Sequence, residues 1–208
     1  ENVYGEVHPY QPEFENTTAS NGVNSFSSKT TNRLETAEVT ASKSWEDDNL
    51  NGTDDAWGTR PVDGNNWTVT YFLQQKLEGE DDGAWKWVVE AGSEADATGS
   101  ATQDGLVSFT ISNGMTSDEN HAVTVNDDGS VQVTWKNLPE CNEDGTPYNY
   151  RIVEQVPGSY DVTGATEVKD ADTAHRYFVV GAGDTGSQAF ENDLRTVNLT
   201  GTKNWNDY

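Results

Sequence analysis

Cysteine occurs once in the 208 residues, at Cys141, so no disulfide can form within the chain. Its polar, turn-like setting, LPECNEDG, gives no reason to read a low-pKa nucleophile. Positive charge is scarce: 12 Lys and Arg stand against 36 Asp and Glu, a formal charge of -24. Such a chain repels phosphate backbones and anionic lipid surfaces, which argues against nucleic acid and membrane as partners. No apolar run approaches a membrane span, and the N-terminal stretch lacks a charged segment followed by an apolar one.

Signals for cofactors and metals are also thin. GAGDTG at 181–186 matches a dinucleotide-binding glycine pattern, but SQAFENDL follows it, too short and strand-like for the helix such a site needs. The DTGS within it has no second carboxylate to form an acid dyad. Asp47, Asn49, Asn51 and Gly52 begin like a calcium loop, yet Gly58 stands where the bidentate acid belongs. His8, His121 and His175 are scattered without metal spacing. These absences predict no cofactor, no metal and no turnover enzyme.

What is present is β-sheet patterning. Hydrophobic residues make up 33%, but 10% aromatics, with seven Trp, exclude a disordered chain. Alternating β-rich runs stand between Gly, Asp and Asn clusters: VTASKSW, WTVTYFLQQKL, AWKWVVE, LVSFTIS, HAVTVN, SVQVTWKNL, YNYRIVEQV, HRYFVVG and SQAFEN. Short strands with frequent turns and no helical period predict an all-β antiparallel sandwich. The stretch 91–122, rich in Gly, Ser, Thr and Asp, reads as an insertion carrying an extra hairpin.

The chain also repeats itself. Residues 31–47, TNRLETAEVTASKSWED, align with residues 191–207, ENDLRTVNLTGTKNWND, at an offset of 160, with seven of seventeen positions identical. A weaker echo, with a slip of a few residues, sets Glu1 and Tyr10 against Glu154 and Tyr160. The expected organisation is a tandem array: residues 1–36 as the C-terminal strands of a preceding repeat, 37–197 as one complete module, and 198–208 as the first strand of the next. Glu1 and Asn32 would then be the preceding repeat's counterparts of Glu154 and Asn192, and Lys203 the following repeat's counterpart of Lys43.

Three polar residues fall on faces that alternation assigns to the core. Lys43 shares a face with Val39, Ala41 and Trp45; Glu154 with Tyr148, Tyr150 and Ile152; Asn192 with Phe190. A buried amine, acid and amide must satisfy one another or destabilise the fold.

The ordered motifs resemble the collagen-adhesin B-type (CnaB-like) modules of Gram-positive surface proteins and pilins. They are K-x-W-x-D at Lys43 to Asp47, G-x-R-P at Gly58 to Pro61, W-x-N-L-P at Trp135 to Pro139, Y-x-Y-x-x-x-E at Tyr148 to Glu154, V-P-G-x-Y at Val156 to Tyr160 and F-x-N at Phe190 to Asn192. The resemblance implies an immunoglobulin-like sandwich in an extracellular, cell-surface or cell-wall stalk or pilus-like fibre, with neighbouring repeats as partners. It also implies an isopeptide bond between Lys43 and Asn192, with Glu154 transferring protons in a single autocatalytic event. The alternative function is adhesion, with the 91–122 insertion or exposed Trp57, Trp85 and Trp87 contacting a glycan or host protein.

Overall fold

A computed structural model describes residues 10–19, 25–47, 58, 60, 62–63, 66–127, 130–170, 172, 174–181, 186–197 and 199–205. Among these, fourteen strands run in order: β1 (Tyr10–Ala19), β2 (Ser25–Leu34), β3 (Thr36–Glu46), β4 (Val62–Asp63), β5 (Asn66–Leu77), β6 (Lys86–Trp87), β7 (Ser108–Ser112), β8 (His121–Val125), β9 (Val131–Pro139), β10 (Tyr148–Val156), β11 (Tyr160–Val162), β12 (Ala165–Val168), β13 (Arg176–Val180) and β14 (Ser187–Leu194). One short 3-10 turn, Asp82–Ala84, precedes β6.

Two large sheets make the sandwich. One has the order β11-β14-β3-β9-β8; the other is seven-stranded, with the path β12-β13-β10-β5-β4 and both β6 and β7 on β5. β1 and β2 form a separate antiparallel pair, from Tyr10 opposite Leu34 to Ala19 opposite Ser25. The all-β sandwich expected from the sequence is therefore present, with one addition: β14 and β3 run parallel. Alternation gives residue faces but not strand direction, so the antiparallel expectation fails at this one pair.

Period-two burial fills the space between the sheets. Val39 and Ala41 of β3, Val131, Val133 and Trp135 of β9, Tyr71 and Leu73 of β5, Ile152 of β10 and Phe190 of β14 belong to one core cluster. Tyr71 meets Trp135 and Phe190 at ring-centroid distances of 5.9 and 5.5 Å.

The seven-stranded sheet is buried on its other face as well. Phe72, Val153, Tyr177 and Val179 point there and pack with Trp87, Ala101 and Leu106 into a second cluster. The expected extra hairpin within 91–122 is replaced by two different structures. Residues 108–112 become β7, a full partner of β5. The stretch before it folds over the outer face, because Ala101 and Leu106 have apolar surface to bury there. Val89 bridges Leu106 at its base, and the Trp87 indole donates to the Gly99 carbonyl at 3.0 Å. Gly105 has φ +89°, and a Cβ there would lie 1.9 Å from Ser93 Oγ, so only glycine fits that turn.

The covering segment predicts a measurable dependence on Trp87, which is 4% exposed. Trp87→Ala should cost about 3–5 kcal/mol in urea unfolding, the range for truncating a large buried aromatic. A loss under about 1 kcal/mol would show that the outer cluster contributes little.

Candidate functional site

β3 and β14 lie side by side, with Phe190 opposite Lys43 and Asn192 opposite Trp45. Their inward faces carry Lys43 and Asn192 on adjacent strands, and β10 of the facing sheet brings Glu154. The three residues expected to meet are together, at 2%, 0% and 1% exposure respectively. Asn192 Nδ2 donates to Glu154 Oε1 at 2.8 Å, and Lys43 Nζ stands 3.7 Å from the same oxygen. Lys43 also donates to the Ser44 carbonyl at 2.7 Å and sits 3.9 Å from the centre of the Trp45 ring.

The electrostatics of this dry site oppose charge on both partners. Burial lowers the Lys43 pKa to about 8; Glu154 pulls it back up, while the Arg60 cation pushes it further down. Burial also raises the Glu154 pKa above the usual carboxylate value, against the opposing pull of Lys43 and the Asn192 hydrogen bond. Glu154 Oε2 and Asn192 Oδ1 are buried without hydrogen-bond partners among the described residues, as is the Tyr71 hydroxyl. Tyr71 stands opposite Glu154 across the β5–β10 pair. A neutral acid beside a neutral amine suits these surroundings better than two charges.

A second buried polar cluster adjoins the first, and sequence reading did not assemble it. Asp47 accepts two hydrogen bonds from Arg60, both at 2.6 Å, and a third from the Tyr160 hydroxyl at 3.0 Å. Arg60 also lies 4.9 Å from the Trp45 ring centre, and Tyr160 packs edge-on to that ring at 5.2 Å. The K-x-W-x-D, G-x-R-P and V-P-G-x-Y motifs thus converge on one point, and Asp47 is engaged by Arg60 rather than placed as the first ligand of a calcium loop. Asn49, Asn51 and Gly52 lie outside the described residues. Gln188 is another residue that went unread: its Oε1 accepts from the Ile152 amide at 2.5 Å, and its Nε2 donates to the Val180 carbonyl at 2.8 Å, tying β14 to the facing sheet. The alternation that singled out Phe190 and Asn192 also puts Gln188 on that face.

The remaining residues singled out earlier are dispersed. Asn32 lies in β2 opposite Pro12, and Glu1 falls outside the described residues. Lys203 lies outside any strand, 3.3 Å from the Trp205 ring centre. Trp87 is core and cannot be an exposed contact for a ligand, because it packs against Phe72 and Tyr177. Trp85 is half-buried, Trp57 lies outside the described residues, and so does the centre of GAGDTG, residues 182–185. Cys141, read as turn-like and polar, is buried at its bridge to Pro147.

The Asp47 cluster should matter for stability independently of Lys43. Asp47→Ala removes the buried carboxylate that accepts from Arg60 and Tyr160 and should cost about 3–5 kcal/mol by urea unfolding. A cost below about 1 kcal/mol would show that Arg60 finds another partner.

Residues 100–175 match the family model of the Cna protein B-type domain. The match spans β7 to β12 and includes Glu154, while Lys43 and Asn192 lie outside it. Comparisons with curated proteins and with solved structures give no match. Domains of this family are non-catalytic structural or adhesin-type modules of surface proteins. No helix among the described residues is long and apolar enough to cross a membrane. Strands β7 to β12 of this β-sandwich are thus similar to a Cna protein B-type domain.

Proposed function

We propose that this chain is a spacer module of an extracellular stalk or pilus-like fibre, locked by an isopeptide bond between Lys43 and Asn192. The observation that carries the reading is the buried convergence of amine, acid and amide, with Glu154 Oε1 2.8 Å from Asn192 Nδ2 and 3.7 Å from Lys43 Nζ. In the reaction Lys43 Nζ attacks Asn192 Cγ, a C–N bond forms, and Nδ2 leaves as ammonia. Glu154 acts as the proton carrier. A half-turn of the Asn192 amide puts Oδ1 where Nδ2 now stands, within reach of a proton on Glu154. That proton goes to Oδ1 as the amine attacks, the carboxylate relays the amine's proton to the departing nitrogen, and it takes the Oδ1 proton back as the carbonyl re-forms and ammonia leaves. Holding the reactants in contact supplies an effective concentration of roughly 10⁵–10⁸ M, enough to make a condensation proceed that is negligible between free side chains.

The active form carries one proton on the Lys43–Glu154 pair, with the amine neutral and the acid protonated. In acid, both groups are protonated and the amine cannot attack; in alkali, both are deprotonated and no acid remains. Crosslinking of freshly refolded protein should therefore have a bell-shaped pH dependence. Denatured protein should weigh less than its sequence by one ammonia, and Lys43→Ala and Glu154→Ala should each restore the full mass. A full mass for the unsubstituted chain would overturn the proposal.

A tandem arrangement is supported by the far end of the chain. At the 160-residue offset, Val197, Leu199 and Trp205 correspond to Ala37, Val39 and Trp45 of β3. Val39 is 2% exposed, whereas Val197, Leu199 and Trp205 are 83%, 92% and 74% exposed. A first strand without its sheet has that signature, so we read Lys203 as the next module's Lys43. In a longer chain continuing past Tyr208, amides 197–205 should gain strong protection from hydrogen exchange. Continued rapid exchange there would refute the reading.

A further inference from the structure

On the outer face of the seven-stranded sheet, a cleft of about 920 Å³ opens between β12, the Asp82–Ala84 turn and the segment around Thr98. This size falls within the range of small-ligand sites. It lies on the Gln74 and Arg151 side of β5 and β10, opposite the face that carries Glu154, so it is separate from the crosslink chemistry.

The chemistry of the cleft centres on Arg151. Among the described residues, Arg60 pairs with Asp47, and Arg176 and Arg195 pair with Asp161, but Arg151 has no carboxylate within ion-pair distance. Its Nε donates to Gln74 Oε1 at 2.8 Å, and its guanidinium carbon lies 4.4 Å from the Trp85 ring centre. Its terminal nitrogens have no acceptor among the described residues. Burial pushes the Arg151 pKa down to about 10, with the nearby Asp82 charge pulling it partly back up. In a chain of net charge -24, an unpaired, half-buried arginine is the exception.

The acids around the cleft are already engaged. Asp82 is held by Lys76 at 3.1 Å, Glu167 by Arg176 at 3.2 Å, and Asp170 accepts from the Ser100 hydroxyl and the Ala101 amide at 2.7 and 2.8 Å. Lys169, exposed on the rim, adds a second cation that has no ion-pair partner among the described residues. The rest of the lining includes half-buried Trp85 and the hydroxyls of exposed Thr166 and exposed Thr98, the latter donating to Asp96 at 2.8 Å.

We propose that this cleft binds a carboxylate-bearing sugar, with Arg151 gripping the carboxylate through its two free terminal nitrogens, Lys169 adding charge, and the threonine hydroxyls meeting the ring hydroxyls. A planar guanidinium already oriented by Gln74 and Trp85 suits bidentate carboxylate recognition. This is an activity beyond the spacer role and does not depend on the Lys43–Asn192 bond.

The test is an NMR titration of the full chain, following the Trp85 indole resonance with sodium glucuronate, glucose and sodium acetate at matched ionic strength. Glucuronate should give a saturable shift in the millimolar range, with glucose and acetate each at least tenfold weaker. Arg151→Gln should weaken glucuronate at least tenfold while leaving resonances of the inter-sheet core in place. If that variant does not fold, Lys169→Gln on the exposed rim serves instead, with an expected weakening of about threefold. The proposal is overturned if glucuronate gives no saturable shift, if acetate binds as tightly as glucuronate, or if the folded variant binds like the unsubstituted chain.

Discussion

An amine and a carboxylic acid held in a dry space between two sheets constrain everything around them. Lys43 and Glu154 cannot both keep full charge there without a counter-environment that the apolar walls do not supply. Those walls are built from rings, with Tyr71 against Trp135 and Phe190, and their packing keeps water from relieving the strain on ionisation. The neighbouring Asp47 and Arg60 show the opposite solution. Their ion pair is bidentate and takes a further hydrogen bond from Tyr160, so both charges are accommodated. Trp45 stands between the two, with Lys43 and Arg60 both over its ring. One cluster pairs its charges; the other retains buried oxygens without partners among the described residues.

Much of this was legible before folding, and the limits have physical causes. The inward faces of β3 and β14 follow strict alternation, so Lys43 and Asn192 could be placed in the core from their spacing alone. Glu154 could be placed too, but β10 buries Val153 beside it, which a one-sided strand would expose. Alternation presumes a single covered face, and the cover on the second face comes from a polar-looking segment whose few apolar residues, Ala101 and Leu106, are too sparse to stand out. The Asp47 cluster was hidden for a different reason. Its members come from three separate motifs, with Asp47 and Tyr160 113 residues apart, and local pattern carries no information about which motifs meet. The covering segment also forms one wall of the cleft around Arg151, so the same departure from a simple sandwich buries one tryptophan and frames another.

The parallel pairing of β3 and β14 has a mechanical consequence. The chain enters β3 at Thr36 and leaves β14 at Leu194, and two parallel neighbours put that entry and exit at opposite ends of the pair. Tension applied along the chain therefore slides one strand lengthwise past the other. The seven register pairs from Thr40–Ser187 to Glu46–Asp193 are loaded together, and the proposed Lys43–Asn192 bond would lie in the same load path. β1 and β2 present the contrasting case: an antiparallel pair whose outer ends, Tyr10 and Leu34, lie side by side, so that tension there opens the ladder one rung at a time. Within one chain, the first element would unzip at low load while the sandwich resists in shear.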